Sequence, residues 1–255
     1  MDVVIRRRLQ LPRRLAGSGI ILLVLVLEMK RIVEPELLDT LPPDDPRAIR
    51  SRRDLRRVNA WMRNHATMAS ALKSGMNGIA PKQLVELGAG DGDFLKRVAR
   101  EICSRWPDVE VTLLDRQRSI APPTLAAFTA LGWRAEAMVA DVFDWRPKRA
   151  DVIVANLFLH HFDDRQLVEL LRLVSERAGW FIAIEPHRFA WPRVCGQLIR
   201  LIGCSGVTRH DAVASVAAGF VRREISALWP DRENWQLTER RAGWFSHLFV
   251  ARRKE

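Results

Sequence analysis

The sequence lacks tyrosine altogether and contains only three cysteines. The first absence excludes a tyrosine general base and a tyrosine-lined cage for a cationic ligand. Cys103, Cys195 and Cys204 lack the C-x-x-C spacing of zinc sites, and three cysteines do not make a disulfide framework. The cysteine pattern therefore predicts reduced thiols, a cytoplasmic location and no bound metal.

The sequence also lacks an apolar run of the roughly 20 residues that a membrane-spanning helix needs. Residues 20–27 are continuously apolar and follow the basic clusters Arg6–Arg8 and Arg13–Arg14, but no small-residue cleavage site comes after them. Residues 1–28 have three interpretations: an interfacial anchor, an uncleaved targeting signal, or upstream sequence translated from an early start codon. We favour the last, with Met29 as the true start, and predict no stable insertion into a membrane.

Lysine is scarce, because 35 of the 41 basic residues are Arg. The net charge of +11 makes an anionic partner such as nucleic acid worth considering. The Arg residues are spread along the chain rather than gathered in one block, however. Nucleic acid is therefore kept only as the alternative partner.

From Pro81 onward, segments with the pattern of strands alternate with segments of helical periodicity, which predicts an α/β fold on a mostly parallel sheet. Two Trp-rich strands near the C-terminus, 235–242 and 244–252, are predicted to form a hairpin around Gly243. The five earlier predicted strands are 83–87, 109–114, 135–140, 151–155 and 180–185.

The chain is predicted to divide into a leader (1–28), an N-terminal part (29–79) and a main domain (80–255). Within the N-terminal part, residues 34–46 are predicted to be extended or turning. Residues 47–74 are predicted to form one helix whose apolar stripe packs on the main domain as a lid. Residues 187–227 are predicted to be a mostly helical insertion.

The most informative segment is residues 83–94, QLVELGAGDGDF. It indicates a buried strand, a tight turn with glycines at 88, 90 and 92, and a helix that begins near Asp93. Such a turn lets a ligand approach the backbone closely. The dinucleotide motif G-x-G-x-x-G would need a glycine where Asp93 stands, so a dinucleotide is not favoured. Glu86, at the end of the strand, favours a ligand with a cationic or amino group.

This segment resembles the first motif of class I S-adenosylmethionine-dependent methyltransferases, and the later strand ends are similar to that family's following motifs in the same order. The resemblance implies a Rossmann-like sheet of seven strands, one of them antiparallel near the edge, with helices on both faces and S-adenosylmethionine as the cofactor. It covers residues 80–185 by motif and extends to 252 by strand order. Residues 155–162, ANLFLHHF, are similar to the corresponding segment of small-molecule methyltransferases, including the quinone-biosynthesis group.

Cofactor-binding residues are expected at the carboxyl ends of the strands, where ligands bind to open α/β sheets. Asp115 is placed to accept hydrogen bonds from both ribose hydroxyls, and Asp141 resembles the family position that accepts from the adenine amino group. Asn156 and Leu157 would face the cofactor with their backbone. The full predicted set is Glu86, Gly88, Ala89, Gly90, Asp115, Arg116, Asp141, Val142, Asn156 and Leu157.

Methyl transfer from a sulfonium depends mainly on positioning, but a hydroxyl acceptor also needs a base that works near neutral pH, which suits histidine. The predicted catalytic residues are His161, after the fourth strand, and His187, after the fifth. His160 is assigned to local packing, and His210 is a weaker candidate. Capping-box spacing assigns Asp211 to a helix cap.

The acceptor pocket is predicted to lie between the N-terminal helix and the insertion, and its apolar lining suits a hydrophobic or aromatic small molecule of secondary metabolism. O-methylation is favoured over C-methylation. The alternatives are an RNA or tRNA methyltransferase and a cofactor-binding module without turnover. The predicted lining is Phe189, Trp191, Val194, Leu198, Leu201, Ile202 and Phe220.

Overall fold

The strands form one seven-stranded sheet in the order β3-β2-β1-β4-β5-β7-β6. The computed structural model describes residues 30–42, 44–76, 79–146, 149–189 and 199–254. Strand β7 runs antiparallel to β5 and β6, and the other pairs are parallel, which confirms the predicted fold class. The strands are β1 (Gln83–Leu87), β2 (Glu110–Asp115), β3 (Arg134–Val139), β4 (Ala150–Asn156), β5 (Ala178–Pro186), β6 (Trp235–Ala242) and β7 (Ser246–Arg253).

Helices cover both faces of this sheet, so its central strands are buried on both sides, as parallel sheets require. Alternate residues of β1 contribute to two hydrophobic cores, with Val85 and Leu87 in one and Leu84 in the other. The described α-helices are α1 (Leu37–Thr40), α2 (Pro46–Met62), α3 (Asn64–Gly75), α4 (Asp93–Ile102), α5 (Pro122–Thr129), α6 (Asp164–Arg177), α7 (Gly206–Ala217) and α8 (Glu224–Leu228).

Helix α6 shows how local sequence determines an element. The Asp163 side chain accepts a hydrogen bond from the Gln166 amide, and the Gln166 side chain accepts one from the Asp163 amide, which together form a capping box. Leu167, Leu170 and Leu171 follow at helical spacing and are fully buried. The predicted helix after Asp163 is confirmed.

The prediction of a single helix over residues 47–74 is wrong. The chain breaks at Arg63, which has φ 55° and ψ 30°, and α2 and α3 are separate helices. The break places the Asn64 side chain where its Nδ2 donates to Asn156 Oδ1 at 3.0 Å and its Oδ1 accepts from Ser246 Oγ at 2.7 Å. These partners lie far from Asn64 in the sequence, so no local sequence pattern predicts the break.

The predicted extended lead-in, residues 34–46, contains the short helix α1 instead. The amides of Leu37 and Leu38 donate to the two carboxylate oxygens of Asp211, at 2.8 and 3.0 Å. Asp211 therefore does cap a helix, but that helix is α1 rather than its own α7. The N-cap of α7 is Ser205, whose hydroxyl accepts from the Thr208 amide.

The predicted helical insertion is observed as α7 and α8, while residues 190–198 lie outside the described part, with Trp191, Val194 and Leu198 of the predicted lining. Phe220 is buried in the core. Leu201 and Ile202 are exposed, because the chain turns at Gly203 (φ 78°) between the buried Ile199 and Cys204. These two side chains do not line an enclosed pocket, contrary to the prediction. Within the described ranges, no helix is long and apolar enough to cross a bilayer.

Candidate active site

The glycine turn between β1 and α4 is built as the sequence predicts. Gly88, Gly90 and Gly92 have φ angles of 67°, 56° and 73°, a region that glycine adopts without steric cost. A Cβ on Gly88 would overlap the Phe158 ring, whereas a Cβ on Gly90 would meet nothing within 4 Å. The Ala89 amide donates to the Leu114 carbonyl at 3.0 Å and ties the turn to β2. The backbone at Gly90 is therefore open to a ligand.

Asp115 stands at the carboxyl end of β2 and faces this turn. Its Oδ2 accepts from the Gly90 amide and its Oδ1 from the Gln117 amide, both at 2.8 Å. Burial raises the pKa of Asp115 despite these two hydrogen bonds. The neighbouring Arg116 is exposed and lies 3.5 Å from Asp39 Oδ2.

Glu86, the penultimate residue of β1, is a buried acid that forms no ion pair with any described residue. Its side chain is only 2% exposed, and its Oε2 has no hydrogen-bond partner among the described residues. Burial raises its pKa well above the usual range, and the negative charges of Asp91, Asp115 and Asp93 add to the effect. A site of this kind is completed by a cation or a hydrogen-bond donor.

The ends of β3 and β4 supply the remaining predicted cofactor contacts. Asp141 is exposed and its Oδ1 accepts from the Phe143 amide at 2.9 Å, while Val142 is buried in the core. Asn156 is buried and held by Asn64. Leu157 has φ 53°, a strained conformation for leucine, and its amide donates to the Ile184 carbonyl at 2.8 Å. Strain of this kind clusters at functional sites.

His160 is a buried link between two carboxylates. Its Nδ1 lies 2.8 Å from Glu185 Oε2 and its Nε2 lies 3.3 Å from Glu36 Oε1. Burial opposes its protonation, but the hydrogen bonds and charges of Glu185 and Glu36 outweigh that effect and raise the pKa of His160 to about 9. Glu185 also accepts from the amides of Phe158 and Leu159 at 3.1 and 2.9 Å. The cluster thus holds the turn after β4 and docks the N-terminal segment on it.

His161 lies beside this cluster and is partly accessible. Its ring centroid is 4.3 Å from that of His160, and its Nδ1 is 3.5 Å from Asp39 Oδ2. Burial and the neighbouring His160 lower the pKa of His161. Glu36, His160 and His161 could together offer three ligand atoms to a metal ion. Both ring nitrogens of His160 already contact carboxylates, however. These ion pairs explain why the three side chains lie together without a metal ion.

His187 lies at the carboxyl end of β5, against β7. Its ring stacks on that of His247 at 6.0 Å, and its Nδ1 is buried without a partner in the described part of the chain. Burial, together with the charges of Arg241, His247 and Arg188, lowers the pKa of His187 to about 4. No hydrogen bond or ring contact joins His187 to His161 within the described residues.

The structure therefore gathers most of the predicted residues at the carboxyl edge of the sheet and adds several that sequence reasoning missed. Of the missed residues, Asp39 contacts Arg116 and His161, and Asn64 contacts Asn156. Glu36 and Glu185 are held against the same turn through His160. Only Glu185 had a local signal, because a carboxylate ends a buried strand there. The Nδ1 of His210, the weaker candidate, lies 3.2 Å from Asp211 Oδ1.

Comparison with known proteins gives similarities to methyltransferases, although no family model matches the chain. O-methyltransferase PaMT from Phomopsis amygdali is 27% identical over 110 residues, which cover 43% of this chain and 26% of that protein. An O-methyltransferase family protein from Burkholderia thailandensis gives a TM-score of 0.55 at 20% identity, over 82% of this chain and 60% of that chain. The plantazolicin methyltransferase BpumL, solved in complex with SAH, gives 0.58 at 13% identity, over 83% of this chain and 92% of that chain.

The chain spans about a quarter of the length of the curated relative that it matches. The seven-stranded sheet with its single antiparallel strand agrees with the similarity to the solved structures. The chain therefore has the fold of the class I methyltransferases.

Proposed function

We propose that this protein is an S-adenosylmethionine-dependent methyltransferase that methylates a hydroxyl group of a hydrophobic or aromatic small molecule. The observation that carries the proposal is the buried carboxyl group of Glu86, whose Oε2 has no partner among the described residues, at the strand end that leads into the open glycine turn. A cofactor with an amino group would satisfy this carboxyl. The O-methyltransferase named among the relatives and the SAH complex of BpumL support the same proposal.

Four residues of the chain would hold the cofactor. Gly90 leaves room for it, Glu86 would accept from its amino group, and Asp115 would accept from its ribose hydroxyls. Among the described residues, only the Oδ1 of Asp141 accepts a hydrogen bond, so its Oδ2 would remain for the adenine amino group. When bound, S-adenosylmethionine supplies a methyl group on a sulfonium, which is a good leaving group.

We assign the proton-accepting role to His161. The lowered pKa of His161 keeps its ring neutral near pH 7, so the ring can accept the proton of an acceptor hydroxyl. Asp39, at 3.5 Å from Nδ1, would act as a positioning residue that leaves Nε2 for the acceptor. His187, with a pKa of about 4, is too weak a base for this task and would contact the acceptor instead.

The cofactor part of the proposal is tested by calorimetry with S-adenosylmethionine. We expect micromolar-range binding by the parent protein and, because two hydrogen bonds are lost, about 10- to 100-fold weaker binding by Asp115→Ala. Asp144→Ala, which removes an exposed aspartate, is the matched control and should bind like the parent. A folded parent that does not bind the cofactor would refute the proposal.

The catalytic part is tested by methyl transfer to a panel of apolar phenols. Loss of a general base costs about 10²- to 10⁴-fold in rate. His161→Gln should show this loss in kcat with unchanged cofactor binding, and its pH–rate profile should lose the limb that reports deprotonation of a base. His65→Gln, which changes a half-buried histidine paired with Glu101, is the control. An unchanged pH–rate profile in His161→Gln would exclude this role for His161.

A further inference from the structure

Helix α2 has an outer face that is both basic and apolar. Ile49, Arg53 and Arg57 follow one another at four-residue spacing, so they share one side of the helix, flanked by Arg50 and Trp61. Ile49 is 54% exposed and Trp61 is 65% exposed. This set of five residues is called the α2 outer face below.

The opposite side of α2 is firmly packed, which fixes the orientation of the outer face. Ser51 Oγ lies 3.0 Å from Thr208 Oγ1, and Asp54 Oδ2 accepts from the Ser205 amide at 2.7 Å. Ala48, Ser51 and Asp54 are buried as a result. The α2 outer face therefore cannot turn inward without breaking the contact between α2 and α7.

The exposed turn at residues 201–203 borders the α2 outer face. Arg57 donates to the Ile202 carbonyl at 3.4 Å, and a groove of about 610 Å³ separates α2 from Gly203. Leu201 is 80% exposed and Ile202 is 47% exposed. Two large apolar side chains thus project into solvent beside three arginines.

Two of the three arginines of this surface lack an acidic partner among the described residues. Arg50 and Arg53 form no ion pair with any residue in the described ranges, and the acid that lines the groove, Asp54, is only 4% exposed. Arg57 lies 3.8 Å from Asp54. The groove and its borders therefore present guanidinium groups and hydrocarbon, with little negative charge.

We infer that the α2 outer face, together with Leu201 and Ile202, docks on the headgroup region of an anionic phospholipid bilayer. Arginine attracts the anionic headgroups, while exposed Trp, Ile and Leu side chains gain by entering the boundary between headgroups and acyl chains. Contact with RNA phosphates would use the arginines but would leave Leu201 and Ile49 in water. The inference requires neither residues 1–28 nor the proposed methyl transfer.

The test is flotation of the full chain with vesicles of phosphatidylcholine alone or with about 30% phosphatidylglycerol. We expect binding only to the anionic vesicles. Arg50→Glu/Arg53→Glu should bind at least about tenfold more weakly, since each basic residue near the surface strengthens binding severalfold. Leu201→Ser should also weaken binding, but without changing its dependence on salt. Arg165→Glu/Arg240→Glu, which reverses two exposed arginines elsewhere, is the matched control.

Equal binding by the α2 variant and the control variant would overturn the inference, since residues 1–28 are present in both. Loss of binding in Arg50→Glu/Arg53→Glu but full binding by Leu201→Ser would also overturn it, because the contact would then be purely electrostatic. If the parent protein does not bind anionic vesicles but binds transfer RNA through Arg50 and Arg53, the inference is wrong and this surface binds nucleic acid. Thermal melting of each variant excludes unfolding as the cause.

Discussion

At the scale of single residues, Glu86 combines burial with negative neighbours, and no basic residue in the described ranges pairs with it. A carboxyl whose pKa is raised on folding makes the folded state less stable at a pH where the unfolded chain is ionised. Stability therefore increases as pH falls from the raised pKa of Glu86 toward the ordinary value of 4.5. A residue that opposes folding in this way is retained more readily if its charge serves a ligand.

We expect Glu86→Gln to separate stability from ligand binding. The variant should be at least as stable as the parent at pH 7, because it removes a buried acid but keeps the shape of the side chain. Its affinity for S-adenosylmethionine should fall about 10- to 100-fold, the size of a hydrogen bond to a charged group. Urea unfolding and calorimetry measure the two effects. Glu169→Gln, at an exposed position of α6, should change neither.

A Glu86→Gln protein that binds the cofactor with the parent's affinity would remove Glu86 from the predicted site. A large loss of stability in the same variant would show instead that the carboxyl has a structural partner.

The sequence identified residues such as Glu86 and Asp115 because they follow buried strands directly, and strand ends meet at one edge of a parallel sheet. It could not identify Glu36 and Asp39, because they belong to a Pro- and Asp-rich segment without periodicity. Glu36 reaches its partner His160 across 124 positions of sequence. Contacts of that range follow from the packed fold and leave no local pattern.

At the scale of elements, the junction of α2 and α3 depends on one residue in a strained conformation. Arg63 ends α2 and begins α3 with a positive φ that non-glycine residues rarely adopt. Its side chain is exposed, so a substitution at this position changes the backbone strain with little effect on packing.

Arg63→Gly should therefore stabilise the protein by about 0.5–1 kcal/mol, because glycine adopts this conformation without a Cβ clash. Part of that gain is offset by the greater freedom of glycine in the unfolded chain. Arg63→Ala keeps the Cβ and serves as the control, which should show no gain. Urea midpoints with unchanged slopes would measure the difference, and a Gly variant less stable than the Ala variant would contradict the prediction.

The elements of the main domain were predictable because each carries its own signal. Strand β1 and the hairpin strand β6 have the bounds that their apolar runs and flanking turns predict. The start of β7 was not predictable, because the aromatic Trp244 and Phe245 resemble strand residues but form the turn. The break at Arg63 was not predictable either. It allows Asn64 to form hydrogen bonds with Asn156 and Ser246, and these residues come near Asn64 only in the folded sheet.

At the scale of the whole molecule, His160 joins three parts of the chain that are distant in sequence. Glu36 belongs to the N-terminal segment, His160 to the turn after β4, and Glu185 to β5. Arg31 reinforces the same junction, because its guanidinium donates to the Phe162 carbonyl at 2.6 Å and lies over the Phe220 ring. The charge state of His160 therefore affects how firmly the N-terminal segment is held on the sheet.

The stability of the folded protein should depend on pH through His160. Its pKa rises from the usual 6.5 to about 9 on folding, so protonated His160 stabilises the fold fully below pH 6.5. This contribution, about 3 kcal/mol by linkage, should be lost progressively as pH rises through 9. The same contact lowers the pKa of Glu36 to about 2, so the two shifts describe one interaction and are not added.

Urea unfolding of the parent at pH 6.5 and pH 9.5 should therefore show a drop that His160→Gln lacks. At pH 6.5 the variant itself should be about 3–5 kcal/mol less stable than the parent, because two buried carboxylates lose the charge between them. His65→Gln, near the surface, should keep the parent's pH dependence. If His160→Gln and the parent lose stability equally between the two pH values, the junction does not carry the charge assigned to it, and the N-terminal segment must be held mainly by Asp211 and Arg31.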